Sequence, residues 1–317
     1  MPVNSNRTER WKEDSALSVD TYNAWFMKFA PKTYREARVG ATKEVEMALT
    51  ITKNMTDMSP KLLKEHPGIL PILRMSTAPP IARDRVIGLA GVSRNLVTAM
   101  EKHKRVPSRL ITLEDDLVKI GVLIKKLVDK DIFVWLDDGK RPTDIQILRA
   151  STIVADRLCG ASSDPIIRNA QEARQRKLIG QWLDMRRYKF VKAGEGLTFD
   201  KMLPGTYAFH LNIPITQRNN KRVNIPVDVA VRPKSASHGD FPLFIEAKSA
   251  GDFTNTNKRR KEEATKIAQL KATYGESIRY VLFLCGYFDT GYLGYEAAEG
   301  IDWVWEHRID DLAEFGV

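Results

Sequence analysis

The sequence predicts an α+β protein: a helical region over residues 1–164, then a core over 165–317 in which helices flank a central mixed sheet. Three observations carry that reading. From about Asp20 to Gln181 the apolar residues recur at three and four positions, the helical period. Helix breakers punctuate this stretch at Pro60, Pro67-Gly68, Pro71, Pro79-Pro80, Pro107, Gly139 and Pro142, so it divides into six or more helices. After about Gly194 the pattern changes to short runs rich in β-branched and aromatic residues, bounded by turn formers.

Among the helical elements, Leu110 to Val128 is the clearest, with Leu113, Leu117, Ile120, Leu123, Ile124 and Leu127 on one side. Later a helix runs from about Pro165 to Arg187. The expected strands are Tyr207 to Ile215, Val223 to Val231, Pro242 to Lys248 and Ile278 to Phe288, with a helix over Lys258 to Tyr274 between the last two. The order is therefore helix, three strands, helix, strand.

The 317 residues are 43% hydrophobic, enough to form a real core and to exclude general disorder. The net charge is +10, and polyanions are the natural partner for such a surplus. Cys159 and Cys285 stand far apart with no cysteine or histidine at zinc-ligand spacing, which argues against a zinc cluster and fits a reducing compartment. The opening residues Met1-Pro2-Val3-Asn4-Ser5-Asn6-Arg7 have no apolar leader, and the apolar stretch Tyr280 to Phe288 is too short to span a bilayer. A cytoplasmic protein with no membrane partner is expected.

One constellation carries chemistry. In Asn224-Ile225-Pro226-Val227-Asp228-Val229-Ala230-Val231, the residues Ile225, Val227, Val229 and Val231 alternate with a second face that holds Asp228. A polar loop, Arg232 to Asp240, leads to Phe241-Pro242-Leu243-Phe244-Ile245-Glu246-Ala247-Lys248, where Glu246 and Lys248 project from one face and Ala247 from the other. Adjacent strands would bring two carboxylates and an ammonium to one end of a sheet. Magnesium takes oxygen ligands of this kind. Asp228, Glu246 and the backbone carbonyl of Ala247 could bind it, polarising a phosphodiester and activating water, with Lys248 orienting that water or stabilising developing charge. The plainer reading is a strand-end ion pair between Glu246 and Lys248. Placing those charges after Leu243-Phe244-Ile245 carries a desolvation cost, which favours the catalytic reading.

Asp228 with Glu246-x-Lys248 resembles the PD-(D/E)xK nuclease signature, here with one extra residue between Pro226 and Asp228. The tract Phe244-Ile245-Glu246-Ala247-Lys248-Ser249-Ala250-Gly251-Asp252-Phe253-Thr254-Asn255 is similar to the XamI family of type II restriction endonucleases. Lys258-Arg259-Arg260-Lys261-Glu262-Glu263-Ala264 and Leu284-Cys285-Gly286-Tyr287-Phe288-Asp289 share that similarity. The resemblance is densest over the last hundred or so residues. It implies a restriction-endonuclease-like core and magnesium-dependent, sequence-specific cleavage of both strands of DNA, leaving 5′-phosphates. It further implies a place in a restriction-modification system and a homodimer, since two-fold symmetry matches a palindromic site. Rival expectations are a nuclease without sequence specificity, as in repair, and a helix-turn-helix DNA-binding regulator that cleaves nothing.

Weaker signals surround this core. Many nucleases of this group place a further acid on the helix before the first strand, and Glu172 is the candidate here, against a solvated helix face. Lys258, Arg259, Arg260 and Lys261 begin a helix, where the dipole disfavours cations, so contact with DNA phosphate would explain them. The segment from Arg85 to Val97 resembles a helix-turn-helix with Gly91 in the turn and Ser93 capping the second helix. Arg94 and Asn95 would then read base edges, although an ordinary helical hairpin also fits. His210, alternating within a strand, and His238, in the polar loop, are expected to be structural or solvent-exposed.

Overall fold

The computed structural model describes residues 2–194, 197–216, 221–254 and 256–317, the side chains of 162–164 and 257–260 excepted. The chain forms two compact units, one over Ala30–Pro165 and one uniting Met1–Phe29 with Ile166–Val317. Two long helices belong to both, α1 (Trp11–Ile51) and, numbered in chain order, α8 (Asp144–Met185).

Between them the helical unit contains α2 (Pro60–Glu65), α3 (Leu70–Met75), α4 (Arg83–Ala90), α5 (Arg94–His103), α6 (Leu113–Leu127) and α7 (Trp135–Asp138). The expected stripe is the buried face of α6: Leu117, Ile120 and Ile124 are fully enclosed, with Leu113, Leu123 and Leu127 packed at its edges. They join Leu49, Leu63, Leu70, Leu96, Met100 and Phe133 in one core. An ion pair between Arg74 and Glu101 at 2.5 Å ties α3 to α5. Helix α4 ends on Gly91 in the left-handed conformation, φ +62°, which glycine adopts without steric penalty. Ser93 occupies the cap position of α5, but its side chain makes no capping bond; its own N–H points to Asp116 Oδ2 at 3.5 Å.

A helix boundary at Pro165 is not observed. Helix α8 continues through that proline, as α1 continues through Pro31. An interior proline removes a backbone hydrogen bond and costs about 3 kcal/mol, so packing on both sides has overridden it. The unit boundaries, 29/30 and 165/166, each fall beside one of these prolines.

In the other unit a six-stranded mixed sheet runs in chain order: β1 (Lys189–Phe190), β2 (Thr206–Thr216), β3 (Arg222–Arg232), β4 (Leu243–Ala250), β5 (Arg279–Gly286) and β6 (Asp302–Trp305). The pairings β2–β3 and β3–β4 are antiparallel, and β1–β2, β4–β5 and β5–β6 are parallel. The four expected strands are present: β2 and β3 extend one residue further at each end, β4 starts one residue later and ends two later, and β5 is shorter at both ends. The two-residue β1, the four-residue β6 and α10 (Thr290–Ala298) are additional. Helix α8 contributes Ile179, Trp182 and Leu183 to the core on one face, with Val229, Val231, Ile245 and Val281. On the opposite face α9 (Thr256–Tyr274) contributes Ile267 and Leu270, packed with Phe244, Leu282, Trp303 and Trp305. Gly286 ends β5 at φ +104°, where a Cβ would lie 2.1 Å from the carbonyl oxygen of Ala250; only glycine permits that approach.

The sequence places Ile225, Val227, Val229 and Val231 on one face. Instead Val229 and Val231 face α8, while Ile225 and Val227 join the α9-side core. Strand β2 does the same in register: Ala208 and Leu211, three apart, both lie in the α9-side core. The inversion sits at His210 and Asp228, where the ladder passes from Phe209–Val229 to Leu211–Val227 and His210 takes φ +53°. Beyond it the β2–β3 hairpin reaches α9, with the Tyr274 hydroxyl donating to the Pro214 carbonyl and Thr216 N–H to Thr273 Oγ1 at 3.4 Å.

Candidate active site

Strand β3 pairs with β4 only at Val229–Ile245, Ala230–Phe244 and Val231–Leu243. Past that point Asp228 takes over from the backbone, its Oδ2 accepting the Ala247 N–H at 2.8 Å. This wedge brings Asp228 to the strand that carries Glu246 and Lys248. Glu246 is buried, and both its oxygens meet lysines: Oε1 lies 3.0 Å from Lys248 Nζ, and Oε2 lies 2.5 Å from Lys266 Nζ on α9. Lys248 Nζ also lies 3.5 Å from Glu263, a buried α9 carboxylate that accepts the Tyr292 hydroxyl at 2.5 Å.

These contacts set the proton affinities. Burial raises the Asp228 carboxyl above the usual range, the Glu246 charge adds to the rise, and the Ala247 N–H opposes it. Burial by itself would lower the Lys248 ammonium, but the Glu246 and Glu263 carboxylates together hold it above the ordinary lysine value. Burial likewise raises the Glu263 carboxyl, with Lys248 and the Tyr292 hydroxyl pulling it back.

On the α8 side, Gln175 is fully buried and its Nε2 points to the carbonyls of Lys248 at 3.3 Å and Phe283 at 3.4 Å. One turn earlier Glu172 pairs with Arg176. Glu172, His210 and Asp228 each offer one ligand atom, and these three atoms lie within 4.8 Å of one another. Gln175 thus fixes the helix that carries Glu172 against the strand that carries Lys248. Gln175→Leu leaves two buried carbonyls without that donor, and should destabilise by about 1–3 kcal/mol in a denaturant titration.

The structure brings Asp228, Glu246 and Lys248 together and adds Glu172 beside Asp228. Lys261 is exposed on α9; the side chains of Lys258, Arg259 and Arg260 lie outside the described residues. Arg94 and Asn95 are exposed on α5 in the helical unit, where Asn95, Thr98, His103, Arg105 and Arg109 line a cleft of about 590 Å³. Sequence reasoning did not single out Glu263, Lys266 or Gln175, and His210, expected to be structural or solvent-exposed, is exposed beside Asp228. A signal existed for the first: Glu263 continues the stripe Ile267, Leu270, Tyr274 at helical spacing, so a charge there had to face inward. His210 becomes visible only through the strand register that sets it across from Asp228.

A family model for the XamI restriction endonuclease matches residues 53–305. The chain belongs to the XamI restriction endonuclease family. It is 51% identical to the type II restriction enzyme SalI of Streptomyces albus G over 316 residues, 99% of each chain. Among solved structures, protein VC1899 from Vibrio cholerae aligns with 80% of this chain at 12% identity and a TM-score of 0.30, and the alignment spans 55% of that protein's length. The matched region includes all of β1 to β6 together with Glu172, Asp228, Glu246 and Lys248.

Proposed function

We propose that this chain is a type II restriction endonuclease that hydrolyses both strands of double-stranded DNA at a specific sequence and leaves 5′-phosphates. The supporting observation is the meeting of Asp228, Glu246 and Lys248 at the parting of β3 and β4, in a chain of a restriction endonuclease family.

The donors fit magnesium. Oδ2 of Asp228 is engaged by Ala247, which leaves Oδ1 for a cation, and Glu246 and the Ala247 carbonyl stand on the adjoining strand. Locally the carboxylates Glu172, Asp228, Glu246 and Glu263 outnumber the cations Lys248, Lys266 and Arg176 by one, a negative surplus that favours a cation in the site. When bound by Asp228, Glu246 and the Ala247 carbonyl, with Glu172 as an accessory acid, magnesium supplies Lewis acidity and a more acidic water. Lys248, kept protonated by its two carboxylate neighbours, orients the attacking water or stabilises charge on the phosphoryl oxygens. Lys266 and Glu263 hold Glu246 and Lys248 in their places.

Residues 165–317, joined by the first 29 residues that the expected 1–164 division set apart, serve as the PD-(D/E)xK nuclease core, and the rest of the helical region takes part in recognition. Lys258, Arg259, Arg260 and Lys261, at the start of α9, contact phosphate, and Arg94 and Asn95 on α5 read base edges. The +10 net charge favours the encounter with DNA. The working form is a homodimer on a symmetric site, in the cytoplasm of a cell that also carries the matching modification enzyme. No helix among the described residues is long and apolar enough to cross a membrane.

Digesting unmethylated plasmid or phage DNA with the purified protein, in magnesium and in EDTA, tests this. Discrete magnesium-dependent bands are expected. A smear would replace the reading with a nuclease lacking sequence specificity, and intact DNA across several substrates would replace it with a binding protein.

A further inference from the structure

We propose that His210, Glu172 and Asp228 form a second divalent-cation position, which takes a transition-metal ion such as Mn2+ in preference to Mg2+. The inference deepens the function proposed above, because it rests on Asp228 being a metal-binding carboxylate. Three elements converge to build the position: Glu172 comes from α8, His210 from β2 and Asp228 from β3, with their ligand atoms within 4.8 Å of one another.

The backbone at His210 is what allows this. A strand residue at φ +53° is strained and persists only where its surroundings impose it. Here the strain coincides with the inversion of faces in both strands, at the gap in the ladder where His210 stands across from Asp228. A regular strand would continue the alternation from Ala208 and point residue 210 into the α9-side core. The inverted strand instead leaves the imidazole exposed beside Asp228 and Glu172.

The chemistry of the donors distinguishes this position from the one on Glu246. Mg2+ takes oxygen ligands almost exclusively, whereas an imidazole nitrogen with two carboxylates suits Mn2+, Co2+ or Zn2+. Glu172 is available, since its partner Arg176 is a helix-surface neighbour at i+4, and such pairs are held weakly. Asp228 would be shared between the two positions.

The test is Mn2+ binding to the intact protein, followed by electron paramagnetic resonance in excess Mg2+ and without DNA. The variants are His210→Asn and His210→Gly, since both residues tolerate the left-handed backbone. The parent should show spin-echo modulation from a coordinated imidazole nitrogen. Both variants should lose that signal and bind Mn2+ about tenfold or more weakly, and keep the parent's thermal midpoint or exceed it. Parental Mn2+ affinity in both variants, or no nitrogen coupling in the parent, overturns the proposal. Asp228→Asn separates the two levels of inference. If it alone abolishes Mn2+ binding, the Asp228 metal site stands and the His210 ligand falls; if binding survives it, Asp228 is not a metal ligand and both readings fall.

Discussion

Asp228→Asn should reduce cleavage by on the order of 10³-fold or more while leaving most DNA affinity intact in a gel-shift assay. Asparagine has the same shape and keeps a carbonyl oxygen that can accept the Ala247 N–H, so the parting of β3 and β4 survives. Only the charge is lost. Its loss should not destabilise the protein. Burial and the Glu246 charge raise the Asp228 carboxyl, so the folded state ionises it less readily than the unfolded chain does. Ionisation therefore works against folding as pH rises from the unfolded value through the raised folded one. Above that window Asp228→Asn should match or exceed the parent's thermal midpoint. Undiminished cleavage would sink the assignment of Asp228, and a collapsed midpoint would mean that its role is structural.

Lys248→Met is expected to act on both activity and stability. Removing the ammonium should lower the cleavage rate by about 10²–10³-fold, the range seen when one group that stabilises developing charge is deleted. It also strips Glu263 of its cation, leaving that buried carboxylate with the Tyr292 hydroxyl, whereas Glu246 keeps Lys266. Breaking a buried pair from one side typically costs about 3–5 kcal/mol while the remaining charge stays ionised. Glu263 has a way to reduce that cost, because burial already raises its carboxyl and losing Lys248 raises it further. The deficit should thus be largest at neutral pH and shrink as pH falls and Glu263 takes up a proton. Urea titrations of parent and variant at pH 5 and pH 8 check this. Equal deficits at both pH values would remove Glu263 from the account.

The change from helices to sheet was legible because a helical period gives way to short runs rich in β-branched and aromatic residues, and all four long strands appear where those runs place them. The short elements were not. A two-residue strand such as Lys189–Phe190 has no period to read, and Asp302–Trp305 is bound to the sheet by neighbours distant in sequence. Pro165 was misleading because a local breaker was outweighed by packing on both sides of α8. Within the site, Asp228, Glu246 and Lys248 could be found from spacing on two strands. Of the groups around them only Glu263 left a trace, in the apolar stripe of α9; Lys266, Gln175 and His210 arrive from helices and a strand whose register is set by the fold. The alternation rule itself misplaced Val229 and Val231 relative to Ile225 and Val227, since one unusual backbone conformation at His210 accompanies a reversal of every side chain beyond it.

The N-terminal segment also sets a schedule. Val3 and Asn4 donate their N–H groups to the Asp302 carboxylate, the Asn4 amide reaches the Trp303 carbonyl at 2.8 Å, and the Ser18 hydroxyl accepts the Gly286 N–H at 2.8 Å. The partners of the first contact are 299 positions apart. At a translation rate of about 5–20 residues per second, the start of the chain waits roughly 15–60 seconds on the ribosome before Asp302 is made. Strand β6 begins at that same Asp302, so the sheet that supports Glu246 and Lys248 is completed only after this wait. A nascent chain interrupted before Asp302 lacks the last strand of that sheet and the carboxylate that holds the N-terminal segment.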